Sequence, residues 1–219
     1  MDRTVNPGIN LNLMSPADLQ EGVARLSRGA YLKEASLEVT LSLLTESAAQ
    51  MSGVARVSIW ALCNAQSELR CLDLYDLSEA RHQSGMSLHA RDYPHYFRAL
   101  RSEECIVADD AYLYPATREF SSGYLSEYGI TAMLDTPIHI RGNLEGVLCL
   151  EQVGTRMTWT TMHRLFAHAV ANLVTLALVE YEADEARRDA AMADERLQAV
   201  LKISPDFAVD RNSLLADAG

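Results

Sequence analysis

The stretch Ile130–Glu151, ITAMLDTPIHIRGNLEGVLCLE, most restricts what this chain can fold into. Ile130, Ala132, Leu134, Thr136, Ile138 and Ile140 alternate with Thr131, Met133, Asp135, Pro137 and His139. A period of two over that length predicts a half-buried strand. Arg141-Gly142-Asn143 supplies a tight turn, with Gly and Asn suited to positive φ. Leu144, Gly146, Leu148 and Leu150 then face one way, and Val147 and Cys149 the other. Gly146 leaves room for a close approach or marks a bulge, and Pro137, which has no amide hydrogen, belongs at an edge or a bulge. The remaining elements have to cover this hairpin.

Length and charge narrow the class. A chain of 219 residues, 48% hydrophobic and 22% charged, suits one globular domain with extensions, or at most two small ones. A formal net charge of −11 with scattered Lys and Arg repels phosphate backbones and argues against nucleic-acid binding. Cys63, Cys71, Cys105 and Cys149 lack C-x-x-C spacing, so buried reduced thiols are expected rather than a disulfide frame or a zinc site. Simple register across the turn at Asn64–Ser67 puts Cys71 nearer Trp60 than Cys63. The N-terminus has no apolar core of a signal peptide. Ala167–Val179 carries His168 and Asn172 and reads as too short to span a bilayer. The expected location is the cytoplasm, with no membrane contact by this chain.

Other elements follow in order. Residues 1–14 read as a flexible tail. Ser15-Pro16-Ala17-Asp18 is a helix start, and the helical pattern runs to about Met51 as two helices or one kinked one. Leu37, Leu41, Leu44, Ala48 and Met51 form one stripe, ended by Gly53. Strands are expected at Arg56–Cys63, Glu68–Tyr75, His82–His89 and Cys105–Ala108. Helices are expected at Tyr93–Arg101, capped by Asp92, and at Thr117–Tyr128, ended by Gly129. A last helix begins at Thr158 or Thr160 and turns polar over Glu182–Arg196. Ser204-Pro205-Asp206 ends it, and 204–219 reads as a linker or the start of a further module, with a PAS-like opening at Glu195–Val209. The expected fold is α+β. An antiparallel sheet of about six strands carries the terminal helices on one face, and short helices and loops over a pocket on the other.

Several short matches in sequence order identify the family this chain resembles. They are Asp92-Tyr93-Pro94 with Tyr96-Phe97, Val107-Ala108-Asp109-Asp110-Ala111, Tyr124-Leu125, Gly129-Ile130 and Met133-Leu134-Asp135-Thr136-Pro137-Ile138. Gly142, Gly146–Glu151, Trp159-Thr160 and Phe166-Ala167 complete the set. Together they resemble a GAF domain of bacterial signalling proteins, over about Ala30–Tyr181. The resemblance implies a small-molecule sensor module. It also implies a homodimer through the terminal helices, covalently linked to an output domain such as a histidine kinase or a diguanylate cyclase. On this reading the GAF domain occupies 15–181 and a signalling helix 182–203.

Candidate pocket residues are Trp60, Met86, Tyr93, Tyr96, Phe97, Asp109, Tyr112, Met133, Asp135 and Cys149. Asp109 and Asp135 stand out, because carboxylates beside apolar strand residues need partners, although Asp109 also suits a turn cap. Trp60, Met86, Phe97 and Met133 serve equally as plain core. Leu173, Leu176, Tyr181, Leu197 and Leu201 are the candidate dimer and signalling positions. No cofactor is required by the sequence. The N-K-x-F-x-x-x-D-E signature of cyclic-nucleotide GAF domains is missing, phytochrome-like bilin motifs are missing, and His89, His95, His139 and His163 are weak candidates for haem. The cysteine loop of the GAF-type free methionine sulfoxide reductases is also missing. A non-catalytic sensor is therefore expected, with a ligand-free dimerisation scaffold as the alternative and a reductase behind both.

Overall fold

A computed structural model describes residues 16–29 and 35–203, with side chains to Ala199. The readings made for the tail, for Ser15, for 204–219 and for the Leu201 side chain lie outside the described residues. Helices α1 (Pro16–Ser27) and α2 (Leu37–Ser52) precede strands β1 (Arg56–Cys63) and β2 (Glu68–Asp76). Short strands β3 (Arg81–Gln83) and β4 (Ser87–His89), helix α3 (Pro94–Ser102) and strand β5 (Ile106–Ala108) follow. A 3-10 turn (Arg118–Phe120) and helix α4 (Tyr124–Tyr128) lead into β6 (Ile130–Ile140), β7 (Asn143–Val153) and helix α5 (Thr161–Ile203). Contacts divide the chain into a compact unit through Leu178 and a second unit from Val179. In the second, the described residues are almost all exposed.

The sheet is antiparallel throughout, in the order β3-β2-β1-β7-β6-β5, with β4 also on β2. Its seven strands occupy six positions, because β3 pairs with Leu74–Asp76 and β4 with Glu68–Arg70 along the same edge of β2. The single strand expected over His82–His89 is thus split, and the break carries Gly85 at φ 84. Trp60 pairs with Cys71, as the simple register requires, and a bulge follows at Ile59/Trp60. The β6–β7 turn holds Arg141 at φ 52 and Gly142 at φ 83. Positive φ at both central residues is the two-residue hairpin turn whose twist matches its strands; Arg141, not Asn143, adopts it beside the glycine. β5 begins opposite Asp135 and runs away from Pro137, so among the described residues β6 has no strand partner on that flank at Pro137.

The hairpin is buried on both faces rather than half-buried, because a layer covers each side of the sheet. On one side Val57, Ile59, Leu134, Ile138, Leu148 and Leu150 meet α2 and the first half of α5. Leu41, Leu44 and Ala48 of α2 are fully inside that core, with Leu37 and Met51 at its margin. Ser36 caps α2 at its start, accepting from the Val39 amide, and Gly53 closes it in the left-handed region. Asp73 of β2 is buried on the same side, where Ser42 Oγ (2.9 Å) and Thr45 Oγ1 of α2 donate to it. In α5, Phe166, Val170, Leu173 and Val174 face this core. Leu173 is therefore core and not an exposed dimer contact. The helix has an apolar window that satisfies the length and composition of a membrane span, longer than Ala167–Val179 suggests. Much of that apolar character is used in the core.

Opposite this layer lies a second core, built from alternate residues of the same strands. Trp60, Cys71, Met133, Val147 and Cys149 meet α3, the 3-10 turn and α4. Asp92 does not cap α3. Glu119, from the 3-10 turn, accepts from the His95 amide (3.0 Å) and the Tyr96 amide (3.2 Å) and so fills that role. The helix expected over Thr117–Tyr128 is broken into the 3-10 turn and α4, with Gly123 between them.

Gly146 sets the spacing of the middle of the sheet. It pairs with Ala61, and a Cβ at this position would overlap the Trp60 carbonyl oxygen, a backbone atom that cannot swing away. Gly146→Ala should lower stability by roughly 2–3 kcal/mol, the scale of overpacking in a close-packed core. Denaturant unfolding of the two proteins checks this, and an unchanged midpoint would refute it.

A buried polar row beneath a small cavity

Register determines which side chains share the inner face of the sheet. Arg56 of β1 lies opposite Glu151 of β7, and Glu151 opposite Met133 of β6. One row along, Ser58 lies opposite Cys149, and Cys149 opposite Asp135. A cationic group and two carboxylates thus sit in adjacent rows on a face otherwise lined by apolar and aromatic side chains.

Arg56 is 2% exposed and Glu151 is 1% exposed, with Arg56 Nε 3.5 Å from Glu151 Oε2 and 3.9 Å from Asp76 Oδ2. The guanidinium lies over Tyr128, 4.3 Å from the ring centroid, and 5.6 Å from that of Tyr124. Such faces favour a desolvated cation. Burial works against the Arg56 charge, but Glu151, the two tyrosines and Asp76 outweigh it and hold its pKa above the ordinary value. Tyr124 donates to Glu151 Oε1 at 2.8 Å. Burial raises the Glu151 pKa, against the pull of Arg56 and Tyr124.

Asp135 is wholly buried. Tyr96 OH donates to its Oδ2 at 2.9 Å, and Cys149 Sγ lies 3.8 Å from the same hydroxyl. Burial, reinforced by the Glu151 charge, raises the Asp135 pKa to about 7. Burial likewise pushes the Tyr96 hydroxyl and the Cys149 thiol well above their usual values. Asp135 Oδ1, Glu151 Oε2, and Arg56 Nε and Nη1 have no hydrogen-bond partner. Buried polar atoms without partners are few in native proteins, and here four gather in two adjacent rows.

Above these rows is a cavity of about 10 Å³, the space of one water molecule. Trp60, Met133, Val147, Cys149 and Glu151 form its floor, and Tyr96, Phe120 and Tyr124 help to roof it. Phe120 packs 4.8 Å from Tyr96 and 4.4 Å from Tyr93, ring centre to ring centre. The roof is a continuous aromatic layer carried by α3, the 3-10 turn and α4.

Of the ten residues singled out from sequence, Trp60, Tyr96, Met133 and Cys149 line the cavity, and Asp135 contacts two of them. Phe97, Tyr93 and Met86 belong to the surrounding core and are not in the wall. Asp109 and Tyr112 are elsewhere. Asp109 is exposed and accepts from the Trp159 amide at 2.8 Å, which ties the approach to α5 onto the end of β5. Tyr112 is 40% exposed, in an outer loop. None of His89, His95, His139 and His163 lines the cavity. Sequence reasoning missed Arg56, Glu151, Phe120 and Tyr124. The available signals were the inward phase of Arg56 with Trp60, and the i, i+4 pair Tyr124/Tyr128 on a short helix.

Removing one member of a buried ion pair strands the other, a loss of about 3–5 kcal/mol. Arg56→Met should destabilise by that order, and adding Glu151→Met should recover most of it. Thermal and denaturant unfolding of the single and double variants checks this, and additive losses would contradict the pairing.

The sequence matches the GAF domain family over residues 36–178. No curated protein matches it. Among solved structures, the GAF domain of a phosphoenolpyruvate-protein phosphotransferase from Coxiella burnetii is similar, at 17% identity and TM-score 0.63, over 78% of this chain and 98% of that one. The phycoerythrobilin-bound GAF domain of a cyanobacterial phytochrome is similar at 14% identity and TM-score 0.62, over 76% and 97%. A free methionine-R-sulfoxide reductase from Neisseria meningitidis, in complex with its substrate, is similar at 12% and 0.55, over 76% and 89%. At such identities these likenesses show the fold alone, whereas the sequence match spans well over half of the chain. The chain belongs to the GAF domain family, a regulatory small-molecule-binding fold of signalling proteins.

Proposed function

We propose that this chain is a cytoplasmic, non-catalytic sensor and dimerisation module. A small molecule entering the cavity would bias the paired terminal helices and so a covalently linked output domain. The observation that carries the reading is the cluster of unpartnered buried polar atoms beside the cavity. Arg56 Nε and Glu151 Oε2 attract each other as an ion pair, but leaving buried polar atoms without hydrogen bonds costs stability that packing alone does not return, and a bound ligand would pair with the carboxylate oxygens among them. To act as a signal, the ligand must favour one helix arrangement over the other.

Dimerisation rests on the spacing along α5. Leu165, Ala169, Asn172 and Leu176, then Val179, Ala183, Ala186, Ala190, Ala193 and Leu197, alternate by four and three residues. That is the heptad of a two-stranded seam. Leu165, Leu176 and Leu197 are 54%, 43% and 57% exposed. The seam retains Leu176 and Leu197 from the original candidates, and Tyr181 falls beside it, donating to Glu185. Glu182 and Arg187 occupy flanking positions that pair across a parallel dimer.

A second reading has its own support. The cavity has room for only one water, and the chain's own aromatic rings fill the rest. That favours a ligand-free scaffold which only holds two protomers together. Native mass spectrometry of freshly purified protein separates the two. A dimer carrying one small-molecule increment per protomer supports the sensor, and a dimer without added mass after exposure to cell extract supports the scaffold. Leu197→Glu should weaken dimerisation at least tenfold by placing a charge in the seam. Sedimentation checks this, and an unchanged dimer would remove the helix from the interface.

A further inference from the structure

The donors in the cavity wall are already committed. Trp60 Nε1 donates to Ser58 Oγ at 2.8 Å, Tyr96 OH to Asp135 Oδ2 at 2.9 Å, and Tyr124 OH to Glu151 Oε1 at 2.8 Å. The Arg56 guanidinium lies between Glu151 and the tyrosine rings and is not in the wall. What remains unfilled toward the cavity is acceptor capacity. Glu151 Oε2 is in the wall, where it faces Arg56 Nε at 3.5 Å without a hydrogen bond, and Asp135 Oδ1 belongs to a carboxyl held by two wall residues. The other surfaces offered are aromatic faces, which attract cations.

From this we infer that the ligand is a small monovalent ammonium compound with a compact apolar or aromatic body. The inference rests on the sensor reading above and names its ligand class. An anion would meet the Glu151 carboxylate in the wall, and the Arg56 nitrogens without hydrogen bonds lie outside that wall. A protonated amine would give N–H groups to Glu151 Oε2 and Asp135 Oδ1, and would lay its charge against the rings of Trp60, Tyr96, Phe120 and Tyr124.

Charge balance sets the stoichiometry. With Asp135 protonated, Arg56 and Glu151 cancel. When a monocation enters and Asp135 gives up its proton, two positive charges face two negative ones, and the interior is again neutral. Asp135 is faced by Tyr96 from α3, by Cys149 and Glu151 from β7, and by Cys105 from the residue before β5. None of these supplies a positive charge; the Tyr96 and Cys149 hydrogen bonds favour ionised Asp135, and a cationic ligand would add to them. The cavity must widen to admit a body larger than water, and the widening falls to roof side chains rather than to the strands, which backbone ladders hold.

Three probes of one shape test this: benzylammonium, benzyl alcohol and benzoate, titrated calorimetrically into the full chain between pH 5.5 and 8. Benzylammonium, whose amine stays protonated over this range as alkylammonium groups do, should bind at least tenfold tighter than benzyl alcohol, and benzoate should not bind. Its affinity should fall about tenfold per pH unit below about pH 7, because a proton must then leave Asp135. At about pH 6 and below, buffers of different ionisation heats should report about one proton released per site, falling toward none at pH 8. Asp135→Asn should fold with a thermal midpoint no lower than that of the native chain, lose ammonium affinity at least tenfold and lose the pH dependence. Benzoate or benzyl alcohol binding as tightly as the ammonium would overturn the ligand class while leaving a small-molecule site in place. No binding by any of the three would overturn both. Ammonium binding that is flat with pH in the native chain would overturn the role of Asp135.

Discussion

Arg56 and Glu151 face each other across the β1–β7 ladder, out of reach of water. Removing each charge from water costs several kcal/mol, and their mutual attraction offsets this only if the surroundings cooperate. Here they do, through the tyrosine faces around the guanidinium and the Tyr124 hydroxyl on the carboxylate. The pair therefore requires α4 in place, since α4 carries both tyrosines. It also requires the β1–β7 register, because a slip of one residue would turn Arg56 toward the opposite core. Gly146 permits that register by letting the strand backbones approach at Trp60.

The sheet is a single layer with two different cores. Alternate residues of β1, β6 and β7 point to the cavity, and those between them point to α2 and the first half of α5. Val57 and Ile59 flank Ser58, and Leu148 and Leu150 flank Cys149. A displacement of the cavity face is one residue away from the packing of the helices. Close-packed interiors transmit such strain rather than absorb it, and this is the route the proposed sensor would use to reach the first half of α5. Tightness also explains why the cavity is small.

Elements with strong local signals were legible in the sequence. The β6–β7 alternation, the α2 stripe with its cap and glycine stop, and the pairing of Trp60 with Cys71 all follow from short-range rules. Features fixed by distant partners were not. Glu119 caps α3 from 24 residues away, and no local pattern announces it. Asp109 looks like a pocket carboxylate until the Trp159 amide is seen to claim it. Leu173 and Leu176 look alike in spacing, yet one is 7% exposed and the other 43%, since helix phase against the sheet decides. Asp135 was visible as a carboxylate among apolar strand residues. Arg56 and Glu151 were harder to recognise because they lie near strand ends, where charged residues usually meet solvent.

The proposed site depends on the state of Asp135, wholly buried, without a hydrogen bond at one oxygen and beside a second carboxylate. A carboxyl held above its unfolded pKa of 3.8 binds its proton more tightly in the folded state, so it draws stability away as pH rises from about 4 to about 7 and no further above that. Carbon-13 NMR of the side-chain carboxyl, assigned by comparison with Asp135→Asn, reads this group directly. A midpoint near 7 in the free protein, moving down when an ammonium probe is added, is the predicted result. A midpoint in the ordinary range near 4, unmoved by the probe, would contradict the electrostatic reading of the site.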